Sequence, residues 1–171
     1  MLHQPAPPRR TVPPDPLTAL GLTCRPLTGE DTAAVARLYT AMSDRDRRNR
    51  FFFPLPGDLG QLAAAAVRND TTHASIGAFD GELLVGVANY IALDGTEAAE
   101  VAVVVAGKFQ EHGVATALLR RLADTARAHG IRHLLAEVLP TNSKMMRLLI
   151  EADFPISAQR QDGIAYVDAV L

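Results

Sequence analysis

The chain holds a single cysteine, Cys24, so no internal disulfide can form and a reducing, cytoplasmic setting is expected. It has no apolar run of the roughly 20 residues that a helix needs to cross a bilayer, so no membrane partner is expected. Arg9-Arg10 leads into Thr-Val-Pro-Pro-Asp-Pro instead of an apolar segment, and no export signal is expected. Charge of one sign is scarce too. The formal balance is −2 with no dominant basic stripe, which gives no reason to expect nucleic acid. Lysine is rare, 2 residues against 15 arginines, a bias read as codon usage. His3, His73, His112, His129 and His133 lack the spacing of a zinc pair with a third ligand, so no metal is expected. No internal repeat and no second domain is visible.

What remains is an ordinary globular composition. With 171 residues, 48% hydrophobic and 21% charged, the chain suits one domain with a real core. Six of its eleven prolines fall within the first eighteen residues. Residues 1–18 are therefore expected to form an extended, proline-rich disordered tail, with the folded domain over 19–171. Periodicity and turn residues predict a strand near 21–26, helices near 29–42 and 57–68, and strands near 73–79 and 82–93 turned at Asp80-Gly81. A strand near 98–106, a helix over 113–129 ended by Gly130, a strand at 132–139, a helix at 142–151 and a strand at 164–170 follow. This order indicates an α/β domain with a mixed sheet.

The most informative stretch is Val101 to Thr116, VAVVVAGKFQEHGVAT. Val101, Val103, Val104 and Val105 read as a buried strand; Gly107 and Lys108 break it. From Gly113 the period becomes helical, with Ala115, Leu118, Leu119, Leu122 and Ala126 on one face and Arg120, Arg121, Asp124 and Arg127 on the other. The first N–H groups of such a helix lack intrahelical partners, and its dipole adds positive character there. Gly113 removes a side chain where a ligand would approach the backbone, so a phosphate-bearing molecule is the natural occupant. Gly113-Val114-Ala115 lacks the Lys-Ser/Thr of a P-loop, and no Rossmann Gly-x-Gly-x-x-Gly is present.

Gln110-x-x-Gly113-x-Ala115 after a valine-rich strand resembles the acyl-coenzyme A pyrophosphate loop of the GNAT superfamily of N-acetyltransferases. Cys24 through Asp31 resembles the family's first strand and helix cap, Leu84 through Ala88 the strand before the coenzyme strand, and Asn142 through Leu149 the helix beside the coenzyme. The resemblance spans about residues 22 to 171. Ser43 through Phe52 and Ala99-Glu100-Val101-Ala102 look most like the catalytic domain of bacterial protein-lysine acetyltransferases. The implied fold is a GNAT-like mixed, mostly antiparallel sheet flanked by helices. The implied activity is transfer of acetyl from acetyl-CoA, the cosubstrate, to a primary amine, with a protein lysine as the leading acceptor. A small amine (antibiotic, polyamine or amino acid) is the alternative, and a non-catalytic acyl-CoA-binding module is a third reading.

The resemblance also assigns residues. Glu100 matches the glutamate that takes the amine's proton, directly or through water. Glu97 and Glu137 are its rivals, and a solvated strand-end charge is the plain reading. Backbone groups of Val103, Val104 and Val105 would pair with the pantetheine arm, an N–H near Val103 facing the thioester oxygen. Gln110, Glu111, His112, Gly113, Val114, Ala115 and Thr116 would hold the pyrophosphate. Asn142 would reach pantetheine or acceptor, though a helix N-cap explains it without any ligand. Many relatives carry a tyrosine seven residues later; here Leu149 stands there, so no general acid is assigned. Asp153 replaces the glycine usual before Phe154. Arg45, Arg47, Arg48 and Arg50, with Asp44 and Asp46, read as a solvated helix end, although that segment borders the acceptor channel in relatives.

Overall fold

A computed structural model describes residues 14–52 and 58–171. The elements in order are α1 (Pro16–Ala19), β1 (Thr23–Pro26), a 3₁₀ turn (Gly29–Asp31), α2 (Thr32–Ala41), α3 (Asp44–Phe51), α4 (Leu59–Ala66), β2 (His73–Asp80), β3 (Leu83–Ala92) and β4 (Ala98–Val105). A second 3₁₀ turn (Gly107–Phe109), α5 (Val114–Ala128), β5 (His133–Val138), α6 (Ser143–Glu151), β6 (Ile156–Gln161) and β7 (Ile164–Val170) complete the chain. The strands form one seven-stranded sheet in the order β1-β2-β3-β4-β5-β7-β6. Every neighbouring pair is antiparallel except β4 with β5. This is the expected mixed, mostly antiparallel sheet flanked by helices.

Alternation along the strands sends side chains to two cores. Val101 and Val105 of β4 face the layer built on Leu118, Leu119 and Leu122 of α5. Val104 faces the opposite layer with Val87, Val35 and Leu38. The β3–β4 register pairs Val87 with Val104, Asn89 with Ala102 and Ile91 with Glu100, so these six share the face covered by α2 and α4. Close approach of α5 is licensed by Gly86 of β3, where a Cβ would come within 3.0 Å of Leu118 Cδ1.

Two local devices fix the chain at the ends of helices. Asp31, 8% exposed, accepts from the Thr28 backbone N–H at 2.8 Å and pairs with Arg25 at 2.8 Å. That pair, with the Thr28 bonds, holds its carboxyl down at about 2 and ties β1 to the start of α2. At the far end of the fold, Asp153 follows α6 in a left-handed conformation, φ 63°. The turn that relatives make with glycine is thus kept by an aspartate at a conformational cost. Asp153→Gly is expected to stabilise the fold by about 0.5–1 kcal/mol, read as a thermal midpoint raised by about 1–4 °C. A lowered midpoint would show that the Asp153 side chain contributes something the backbone geometry does not reveal.

The expected tail boundary is corrected. Residues 1–13 lie outside the described residues, but residues 14–18 are not tail. Asp15 caps α1 by accepting from Leu17 N–H at 3.2 Å and pairs with Arg121 of α5, while Leu17 is 1% exposed in the core. One buried leucine and one ion pair outweigh the local proline content. The hairpin also differs slightly from expectation: Asp80 pairs with Leu83, so Gly81 and Glu82 are its central residues, with Gly81 at φ 59°.

Candidate active site

β4 and β5 run in parallel for three residue pairs only: Ala98 with His133, Ala99 with Leu134, and Glu100 with Leu135. Beyond Glu100 they part. β4 continues to Val105 bonded to β3 alone, while β5 continues to Val138 bonded to β7. The β5-facing backbone of Val101 through Val105 is therefore left without a strand partner in the sheet. Unmatched backbone donors and acceptors on an apolar strand are what an amide-bearing chain can pair with. A cavity of about 760 Å³ occupies the fork, and Val103, Val104 and Val105 all line it.

The mouth of the fork meets the start of α5. Gly113 is the N-cap at φ 83° and offers no side-chain bond to the first turn. The N–H groups of that turn therefore remain for an anion, as expected from the dipole and the missing caps. Gln110, Glu111, Gly113, Ala115 and Thr116 line the cavity. His112 is exposed and Val114 is 1% exposed in the core, and neither residue lines the cavity, so the structure does not bring these two expected site residues to it. Glu111 takes a left-handed conformation, φ 63°, which turns the chain into the helix.

Gln110 does more than open the loop. Its Nε2 donates to Val105 O at 2.9 Å and to Asp46 Oδ2 of α3 at 3.1 Å, and its Oε1 accepts from Lys144 Nζ of α6 at 2.6 Å. One amide thus joins the end of β4 to helices on both sides. Asn142 caps α6, its Oδ1 accepting from Met145 N–H at 3.1 Å, and it also lines the cavity, so the capping role and a ligand role are compatible. Leu149, by contrast, is 1% exposed in the core, and its position supplies no proton to a leaving thiolate.

Glu100 stands at the fork itself, exposed on the last paired residue of β4, and it lines the cavity. Glu137 of β5 lines it too. Glu97 precedes β4 and is absent from the lining, so the geometry brings one rival of Glu100 into the site and leaves the other outside. On the opposite wall, Asp46 and Arg50 of α3 face the cavity, whereas Arg45 and Arg48 are exposed outside it. The sequence reading missed Asp46, Arg50, Asn89 and Lys144. For Asp46 and Arg50 a signal existed: their i, i+4 spacing puts both on one face of a short helix. No group of three or more His, Cys, Asp or Glu among the described residues is arranged to hold a metal.

A sheet forked between two parallel strands, with an uncapped helix start at its mouth, offers a strand edge to an amide-bearing arm and unpaired N–H groups to its phosphates. The comparisons make the family definite. Residues 31–154 match the model of the acetyltransferase (GNAT) family. The GNAT domain of S. lividans PAT superposes with a TM-score of 0.78 at 30% identity, over 86% of this chain and 89% of that one. The chain belongs to the GNAT acetyltransferase family, and acetyl-CoA is its acyl donor. Two more distant structures share the fold. A paia N-acetyltransferase from Thermoplasma acidophilum in complex with coenzyme A has a TM-score of 0.70 at 15% identity, over 88% of this chain and 99% of that one. A ribosomal-protein-alanine N-acetyltransferase from Brucella melitensis has a TM-score of 0.68 at 21% identity, over 87% and 99%. No curated protein matches by sequence. Among the described residues, no helix is long and apolar enough to cross a membrane.

Proposed function

We propose that this enzyme acetylates a lysine side chain of a protein, with Glu100 as the general base. The observation that carries the reading is the position of Glu100: exposed, at the apex of the fork, beside the strand edge that would receive the pantetheine arm. A lysine ammonium must lose a proton before its nitrogen can attack a thioester, and an exposed carboxylate can draw that proton off through water. The β5-facing backbone of β4 around Val103 would orient the arm, and the first turn of α5 with Gln110 through Thr116 would hold the phosphates. Departure of the thiol needs no protein acid in this scheme, because solvent reaches the same groove.

Support for a protein acceptor comes from two sides. The cavity wall near the apex opens to solvent, with Ile91 at 40% and Tyr166 at 41% exposure, so a chain bearing lysine can lie across it. The segments Ser43 through Phe52 and Ala99 through Ala102 resemble those of bacterial protein-lysine acetyltransferases, in keeping with 30% identity to the S. lividans PAT domain. The test follows CoA release from acetyl-CoA over a mixed panel of lysine-bearing proteins, acyl-CoA synthetases among them, and small amines. Turnover on a protein with site-specific lysine acetylation is the expected result. Turnover confined to an aminoglycoside, a polyamine or an amino acid would replace this reading with the small-amine one.

A further inference from the structure

Arg50 stands apart from the other arginines. Among the described residues, Arg25, Arg47, Arg68, Arg121 and Arg127 pair with carboxylates, and Arg120 and Arg132 donate to backbone carbonyls. Arg37, Arg45, Arg48, Arg147 and Arg160 are exposed to solvent, and Arg50 has neither a carboxylate nor a carbonyl partner among the described residues, with the Tyr39 hydroxyl beside its guanidinium. Yet it is half-buried, it lines the active-site cavity, and its Nε is a fully buried donor without a partner. No other buried side-chain nitrogen or oxygen among the described residues is left in that condition. A buried unmatched donor costs about 1–3 kcal/mol, and more when charged, which makes it informative where it persists.

The guanidinium is also held in place. It lies 4.8 Å over the Phe51 ring, which meets Tyr39 edge-on at 5.4 Å, and Tyr39 is 1% exposed. A stacked, pre-positioned guanidinium presents a planar fork that suits a carboxylate. We propose that Arg50 is the anion-binding subsite of the acceptor groove, taking a carboxylate that the acceptor carries close to its reacting lysine.

The acceptor, and not the coenzyme, is favoured as the source of that anion. The α3 residue turned toward the pyrophosphate loop is Asp46, which holds Gln110, so at that loop α3 presents a carboxylate and no cation of its own. Arg50 lies one turn further along α3, about 6 Å along the helix axis. It shares the cavity with Asn89 and Glu100, which lie on the same face of the sheet. Glu137, on the β5 side, gives the groove a negative bank facing the positive one. An amine would be drawn toward the carboxylates while a neighbouring acidic side chain meets Arg50. This deepens the protein-lysine reading and rests on it for the nature of the acceptor.

The test uses peptide pairs that share one lysine and differ only in aspartate or glutamate against asparagine or glutamine beside it. The full chain, Arg50→Gln and Arg50→Lys are compared. The wild type is expected to favour the acidic peptide by about 10-fold or more in kcat/KM, as one charge-assisted contact provides. Arg50→Gln should bring the two peptides of a pair to the same kcat/KM, with acetyl-CoA affinity by calorimetry unchanged. Arg50→Lys should retain part of it, and carries the test if the glutamine variant melts early. A preference that survives in Arg50→Gln overturns the subsite. So does a variant that loses affinity for acetyl-CoA but not for acetyl-pantetheine, which would assign the anion to the coenzyme phosphates. If the wild type acetylates no peptide and only small amines, the protein-lysine reading fails by itself. An amino acid is then compared with its decarboxylated amine, and a preference for the carboxylated one that Arg50→Gln erases sustains the subsite, while equal rates overturn it.

Discussion

Replacing Glu100 with glutamine is expected to lower kcat/KM for the acceptor by about 10²–10⁴-fold near neutral pH, the usual worth of general-base assistance. Glutamine keeps the size of the side chain and cannot accept the proton. Glu100 is exposed and forms no ion pair among the described residues, so the exchange should leave folding unchanged. Acetyl-CoA affinity should also hold, because the backbone of β4 beyond Glu100 and the loop before α5 are untouched. The loss should shrink as pH rises toward the lysine pKa of about 10.4, where free amine no longer depends on a base. Full turnover of the variant across that range would remove Glu100 from the chemistry. The same loss in Glu137→Gln, with Glu100→Gln active, would pass the role to Glu137.

The second large effect is expected at Gly113. Its φ of 83° is costly for any other residue, and a Cβ there would lie 3.1 Å from both Cβ and Cγ of Pro16. Gly113→Ala must therefore shift the loop, α1, or both. The first N–H groups of α5 would move off their aim, and affinity for CoA should fall by about 10–100-fold, that is about 1.4–2.8 kcal/mol. Calorimetry against CoA reads this directly. Adding Pro16→Gly should recover only part, since the crowding against both Pro16 atoms is relieved and the left-handed backbone is not. Wild-type affinity in Gly113→Ala would mean that the phosphates are held elsewhere.

Sequence reading recovered the parts of this fold whose signal is local. α5 announces itself by its period and by glycine at both ends, and β4 by its valines. What stayed hidden depends on partners distant in the chain. α1 is one turn held by Leu17 in a core built by β3, β4 and α5, so nothing in its own composition marks it. β6 is an edge strand, half-buried only at Ile156, and exists because β7 pairs with it. α3 reads as solvated charge because five of its eight residues are arginine or aspartate before its terminal Arg50-Phe51. Only the packing shows that Asp46 and Arg50 turn inward. The candidate site divides the same way: the loop from Gln110 to Thr116 was legible as a motif, whereas the Asp46–Gln110–Lys144 chain joins residues up to 98 positions apart by subtraction of their numbers.

The three-pair contact between β4 and β5 has a consequence for how such an enzyme can diversify. Parallel neighbours cannot be joined by a hairpin; the chain must cross over, and here α5 is that crossover. A crossover helix begins where the first strand ends, so topology alone delivers a helix start to the open end of the fork. The donor half of the site is thus written in main-chain geometry, which tolerates little change. On the proposed reading the acceptor half hangs on cavity-lining side chains such as Asn89, Arg50, Glu137 and Tyr166, each replaceable without disturbing a single rung of the ladder. New acceptors can be reached by exchanging those side chains while the acyl donor stays the same.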